Sequence, residues 1–183
     1  VIAVTNQKGG VGKTTTAVNL AACLAYNGKK TLLIDCDPQC NSTSGLGISR
    51  EDCPLTVYDC LGEPEKTSEA VYPTRYKNLS VIVSSPDMSA VEIELASENK
   101  REYFLKDAID SIRDDFDFIL IDSPPSLGII TINILTAVDS VLIPIQCEYY
   151  ALEGLSQLIG TIKIIKKKLN PDIDIEGVLG TMY

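Results

Sequence analysis

The sequence predicts an α/β protein built on a doubly wound, mostly parallel sheet with helices on both faces, and three observations carry that expectation. Short apolar runs rich in β-branched residues recur along the 183 residues, stretches with helical periodicity stand between several of them, and a glycine-rich turn joins the first run to the first helix. Runs that are apolar on consecutive residues suit strands buried on both faces, and strand-helix alternation closes into a parallel sheet through right-handed crossovers. A single domain over residues 1–183 is expected, because a chain of this length buries roughly 70% of its unfolded surface.

The expected strands cover residues 1–5, 31–35, 79–83, 116–122, 140–145 and 175–182. A first helix is expected over 14–26, where Ala17, Leu20, Ala21, Leu24 and Ala25 fall at i, i+3, i+4, i+7 and i+8 and Gly28 supplies a stop. A second is expected over 151–169, with Leu152, Leu155, Leu158, Ile159, Ile162 and Ile165 as its apolar stripe and Asn170-Pro171 as terminator. Residues 41–76, rich in turn formers, read as an irregular excursion inside the domain. Residues 87–117 hold ten acidic and four basic side chains, a net of −6, and read as a solvated helical face.

Composition narrows the function classes. At 45% hydrophobic and 22% charged residues, disordered, collagen-like and coiled-coil chains are excluded. Sixteen basic against 25 acidic residues leave a net charge of −9, so a nucleic-acid partner must be met by a local patch. Histidine is absent, which removes histidine acid-base chemistry, relay triads and histidine-ligated metals. The six cysteines, at 23, 36, 40, 53, 60 and 147, form no C-x-x-C pair and suggest reduced thiols in a cytoplasmic protein. No apolar run approaches the roughly 18 residues of a membrane span, and the opening VIAVTNQKGG lacks a basic n-region, so no stable membrane insertion is expected. The chain starts at Val1 inside one apolar run and stops at Tyr183 after another, so a natural C-terminal part is expected to be missing.

Between the first strand and helix stands Lys8-Gly9-Gly10-Val11-Gly12-Lys13-Thr14-Thr15. Glycines let the backbone curl so that successive N–H groups point at one anion, and the helix dipole adds positive potential, so phosphate belongs there. Lys13 is placed to neutralise the β- and γ-phosphates, the Thr14 hydroxyl to ligate Mg²⁺, and Thr15 to donate to the α-phosphate. The pattern departs from G-x-x-x-x-G-K-[ST], since Gln7 occupies the first glycine position and Lys8 the next. Asp122 ends an apolar strand, where a carboxylate stands near the ligand crevice of a parallel sheet and can hold Mg²⁺ through water. Asp35 and Asp37 close the strand that begins at Thr31, and their i, i+2 spacing sends both side chains to one side, one for the metal shell and one for the water. An unperturbed Asp is a poor base at neutral pH, so orienting the attacking water describes such a role best.

This deviant loop resembles that of the ParA/MinD/nitrogenase-iron-protein class of P-loop ATPases. Leu32-Leu33-Ile34-Asp35-Cys36-Asp37-Pro38-Gln39, Asn41 to Gly47, Asp122-Ser123-Pro124-Pro125-Ser126-Leu127 and Glu148-Tyr149-Tyr150-Ala151-Leu152-Glu153-Gly154 are similar to the partition-ATPase (ParA/Soj) branch, in order and over nearly the whole chain. The resemblance implies a P-loop NTPase fold of the SIMIBI-like kind and slow, partner-stimulated ATP hydrolysis with ATP and Mg²⁺ as cofactors. By the same resemblance Asp37 positions the attacking water, Asp35 supports Mg²⁺ and Lys13, and Lys8 reaches the phosphates of a partner subunit's nucleotide. That implies a homodimer sandwiching two ATP molecules, formed on ATP binding and ended by hydrolysis. It also implies a ParB-like activator, nonspecific DNA binding by the dimer on the nucleoid, and a role in plasmid or chromosome partition.

Family members contact DNA through basic residues that lie largely beyond Tyr183. Here Lys163, Lys166, Lys167 and Lys168 form the basic cluster, which equally suits a solvated helix end complementing its dipole. Tyr149 and Tyr150 are kept as structural aromatics. The lack of a cysteine in a glycine-rich loop weighs against the nitrogenase-iron-protein branch. Two rivals stand beside the partition reading: a MinD-like or other positioning ATPase that does not act on DNA, and a non-catalytic nucleotide-binding fragment.

Overall fold

In the computed structural model, which describes residues 1–148 and 151–182, the apolar runs assemble into one sheet of seven strands. The strands are β1 (Ile2–Val4), β2 (Thr31–Asp35), β3 (Tyr72–Pro73), β4 (Leu79–Ile82), β5 (Phe118–Asp122), β6 (Ser140–Gln146) and β7 (Asp174–Thr181). They lie in the order β3-β4-β2-β5-β1-β6-β7, parallel throughout except for the two-residue β3. The five-residue β2 coincides with its expected span, and the other expected strands move at their ends by up to two residues. β3 has no counterpart in the periodicity, since two residues including Pro73 carry no pattern.

Successive strand residues feed opposite faces, as the pleat requires. Val4, Leu33, Val81 and Leu120 pack under helix α1 (Lys13–Tyr26) with Ala17, Ala21 and Ala25. Ala3, Leu32, Ile34, Ile119 and Ile121 point the other way, into a core shared with α3 (Val57–Gly62), α5 (Phe104–Asp110), α6 (Ile129–Ala137) and α7 (Ala151–Lys168). The short α2 (Asn41–Gly45) and α4 (Val91–Glu94) complete the helices. Helix α6 is apolar on nearly every side and buries Ile130, Ile134, Leu135 and Ala137, so it shows no stripe to read.

The acidic stretch 87–117 is not one solvated helical face. It breaks into α4, α5 and 3₁₀ turns, and it sinks Val91, Leu105, Ala108, Ile109 and Ile112 into the core, while most of its charged positions and Ile93 face water. Residues 41–76 are the expected excursion, carrying α2, α3, 3₁₀ turns and β3. Helix α7 ends at Lys168, one residue short of the expected 151–169, and the tyrosine pair Tyr149-Tyr150 lies outside the described residues. No described helix is long and apolar enough to cross a membrane.

The topology locates the crevice. β1 sits between β5 and β6, both of which follow it in sequence, and its end Val4 is in register with Asp122, itself in register with Asp35. The carboxyl ends of three adjacent strands therefore stand level where the strand order reverses, the position where open α/β sheets hold ligands.

Candidate functional site: a phosphate-loop cleft with buried carboxylates

The turn from β1 into α1 owes its shape to two glycines in left-handed conformation, Gly10 at φ 74° and Gly12 at φ 87°. Gly12 is the N-cap of α1 and supplies no side-chain acceptor, and the first helical turn holds no acidic residue. The amides at that helix start are left for an incoming anion. Gly9, Gly10, Gly12, Lys13, Thr14, Thr15, Asp37 and Gln39 line a cleft of about 350 Å³. Val11 points inward, 1% exposed, so only its backbone belongs to the loop surface. The Thr15 carbonyl accepts from Asn19 Nδ2 at 2.8 Å.

Lys13 lies across the loop at 7% exposure, its Nζ donating to the Lys8 carbonyl at 3.0 Å. Burial lowers its pKa, while Asp122 and Asp37 act in the opposite sense by favouring the cation. Lys8 turns outward instead, its Nζ paired with Glu148 Oε2 at 3.1 Å. Its amide donates to Asn6 Oδ1 at 3.0 Å, and Asn6 Nδ2 donates to the Pro144 carbonyl at 2.7 Å, which fastens the loop's entry to β6.

The three expected aspartates converge in different settings. Asp122 is fully buried, and Oδ2 accepts from Ser42 Oγ at 2.8 Å while Oδ1 has no hydrogen-bond partner. Burial raises its pKa against the opposing hydroxyls of Thr14 and Ser42, of which only Ser42 completes a bond. Asp35 is equally buried but engaged on both oxygens: Oδ2 accepts from the Thr43 amide and hydroxyl, each at 2.8 Å, and Oδ1 from the Asp37 amide at 3.2 Å. Burial pushes its pKa to about 6, with the Thr43 bonds opposing the rise. Asp37 stands past the strand end and lines the cleft, its Oδ1 accepting from the Gln39 amide at 2.9 Å.

A single sequence did not disclose two supports. Thr181, at the end of β7, donates from Oγ1 to the Val11 carbonyl at 3.0 Å, and its methyl lies 3.7 Å from where a Cβ on Gly12 would be. Ser42 and Thr43, on α2, orient Asp122 and Asp35. The polar run Asn41-Ser42-Thr43-Ser44 was visible, but nothing local ties it to carboxylates on two other elements. The basic cluster Lys163, Lys166, Lys167 and Lys168 is exposed on α7, and Lys166 Nζ already donates to the Ile173 carbonyl at 2.8 Å.

Buried Asp122 Oδ1 is an acceptor with nothing to accept from, beside the Thr14 hydroxyl and close to the Lys13 ammonium. A carboxylate, a hydroxyl and anion-seeking amides at one cleft are a donor set for a divalent cation carried on a phosphate chain.

Residues 1–175 match the AAA domain family. The chain is 56% identical to the sporulation initiation inhibitor protein Soj of Bacillus subtilis, covering 100% of this chain and 72% of that protein. It is 51% identical to the chromosome partitioning protein ParA of Myxococcus xanthus, over 100% of this chain and 65% of the relative. Among solved structures, one of Mycobacterium smegmatis named cobyrinic acid a,c-diamide synthase, with bound ADP and magnesium, superposes with a TM-score of 0.94 at 39% identity, covering 100% of this chain and 74% of that one. A plasmid partition protein from Borrelia burgdorferi superposes with a TM-score of 0.85 at 29% identity, over 98% and 76%.

Proposed function

The chain belongs to the ParA/Soj-type partition ATPases of the AAA domain family, and from that premise we propose that it binds ATP with Mg²⁺ and hydrolyses it as an ATP-gated dimerisation switch in chromosome or plasmid partition. The observation that carries the proposal is the convergence of the Gly10-Gly12 loop, buried Lys13 and the unpartnered Asp122 Oδ1 at the carboxyl ends of β1, β2 and β5.

In this reading the amides of Gly9 to Thr15 cradle the phosphates, and Lys13 gives up the Lys8 carbonyl for the β- and γ-phosphate oxygens. Thr14 and Asp122 hold Mg²⁺, which supplies charge neutralisation on the phosphate chain. Asp35 acts indirectly on the metal, holding Thr43 and the Asp37 amide so that Asp37 stands where it can orient a water. Phosphoryl transfer through a loose transition state asks mainly for positioning and charge neutralisation, which this set provides. Lys8 leaves Glu148 to reach the nucleotide of a second subunit, as a finger residue does. A ParB-like activator and nonspecific DNA are the partners this function calls for. The Mycobacterium smegmatis name suggests an amide-forming ATPase as a second reading, but its 39% identity is well below the 56% to Soj.

Light scattering with Mg-ATP against Mg-ADP tests the switch, with Asp37→Ala to block hydrolysis and Lys8→Ala to remove the finger. A dimer with ATP alone that Lys8→Ala abolishes supports it. A protein that binds ATP and stays monomeric refutes the switch and fits a nucleotide-binding fragment.

A further inference from the structure

The far end of α1 from the phosphate loop opens a groove of about 740 Å³, lined by Tyr26, Arg75, Tyr76, Lys77 and Asn78 among others, with no acidic residue in its lining. The 14 residues of α1 put this groove about 20 Å from the cleft at the helix's other end. Its walls are tied together. Asn78, in left-handed conformation at φ 64°, donates from Nδ2 to the Ala25 carbonyl at 3.2 Å, which docks the turn before β4 on the end of α1. The Thr31 amide donates to the Asn78 carbonyl at 2.9 Å, and Lys29 and Lys30 lie between that tie and Gly28 of the lining, so they stand at the groove's edge rather than in it.

Lys29, Lys30, Arg75 and Lys77 are exposed, and none takes part in an ion pair among the described residues. Asp117 accepts from the Lys30 backbone amide at 2.8 Å and forms no ion pair with its ammonium. Arg75 stacks 4.9 Å from the Tyr76 ring centroid and donates to its hydroxyl at 2.8 Å, and the Tyr26 ring stands 92% exposed beside them. Four unpaired cations on one rim of a chain whose net charge is −9 are a local reversal of sign. Arg, Lys, Tyr and Asn are also the side chains that contact phosphate and sugar on duplex DNA.

We propose that this groove, rather than the lysines of α7, is where this part of the protein grips the sugar-phosphate backbone of double-stranded DNA. The inference rests on the DNA-binding part of the proposed function and assigns it a place. A single small anion engages one or two of these cations, whereas four along a rim match a polyanion carrying one charge per roughly 1.7 Å. The side-chain amides of Asn19, Asn27 and Asn78 in the groove are spent on the carbonyls of Thr15, Cys23 and Ala25 rather than offered to a base edge, so binding is expected to be independent of sequence. The groove and the nucleotide cleft lie at opposite ends of α1, so both are open at once.

Fluorescence anisotropy with a labelled duplex of arbitrary sequence, in a non-hydrolysable ATP analogue and across about 50–200 mM salt, tests it. Arg75→Ala/Lys77→Ala is expected to weaken binding by about 10-fold or more and to reduce the slope of log affinity against log salt by about 2, two charges at ~0.9 each. Arg75→Lys keeps the charge and is expected to keep the wild-type salt slope. Lys167→Ala/Lys168→Ala, the comparator on α7, should leave the slope unchanged, and nucleotide affinity should be unaltered in every variant. Wild-type affinity and slope in the Arg75→Ala/Lys77→Ala protein, or loss confined to the α7 variant, overturns the proposal. A wild-type protein that binds no duplex in either nucleotide state removes the DNA-binding function itself, a result distinct from either of those.

Discussion

Replacing the loop glycines one at a time separates backbone conformation from packing. An added Cβ meets nothing within 4 Å at Gly9 or Gly10 and only Thr181 Cγ2 at 3.7 Å at Gly12, so space does not distinguish the three. Conformation does, because Gly10 and Gly12 have positive φ, 74° and 87°, and Gly9 does not. Holding an alanine in the left-handed region costs about 1–2 kcal/mol. An alanine at an unstrained position stabilises by about 0.4–1 kcal/mol through the unfolded chain. Gly12→Ala and Gly9→Ala therefore move in opposite directions, with a gap of about 2 kcal/mol that reads as about 4–8 °C in a protein this size. Thermal unfolding without nucleotide checks it, with Gly10→Asn expected between Gly10→Ala and wild type because Asn tolerates left-handed backbone. Equal destabilisation by Gly9→Ala and Gly12→Ala would show that crowding, not φ, shapes the loop.

Thr181→Val keeps the methyl shape beside Gly12 but removes the bonds to the carbonyls of Val11 and Ile145, so stability should fall by about 1–2 kcal/mol with weaker ATP binding; Thr161→Val, which loses only its bond to Gln157 within α7, is the calorimetric control and should leave ATP affinity alone. Glu148→Gln frees Lys8 from an exposed pair, so stability should change by less than about 1 kcal/mol while the ATP dimer forms at the same or lower protein concentration; loss of the dimer as complete as with Lys8→Ala would refute the assignment of Glu148 as a holder. The raised pKa of Asp35, about 6, means the folded state holds that proton more tightly than the unfolded chain, so this group's contribution to stability falls as pH rises from about 4 through 6 and levels off near pH 7. Relative to Asp35→Asn, the metal-free wild type should lose about 2 kcal/mol between pH 4 and pH 7 by urea unfolding, and a pH-independent difference would refute the buried charge.

What the sequence disclosed is what depends on neighbours along the chain. Gly10, Gly12, Lys13 and Thr14 fall within the turn from β1 into the first residues of α1, so spacing and residue type made the turn itself legible. The strands at Thr31–Asp35 and Phe118–Asp122 were legible because burial on both faces writes a continuous apolar run. Helix α6 escaped because a helix buried on nearly all sides has no polar face to set the period. Asp35 ends β2 level with Asp122 as its position in the sequence led one to expect, yet it is fully buried and its oxygens turn to Thr43 and Asp37. The groove beyond α1 was invisible because Lys29 and Lys30 stand far in sequence from Arg75 and Lys77, and only β2-β4 pairing brings them together.

The bond from Thr181 to the Val11 carbonyl spans 170 residues. During synthesis the glycine turn leaves the ribosome early, yet this brace arrives only when β7 docks beside β6. At about 5–20 residues per second, that delay is roughly 10–30 s. For that interval the nascent chain carries a phosphate loop with its motif complete and its frame unfinished. The frame of the glycine turn is thereby set by a strand made long after it, so the loop's conformation is tied to the pairing of β6 with β7.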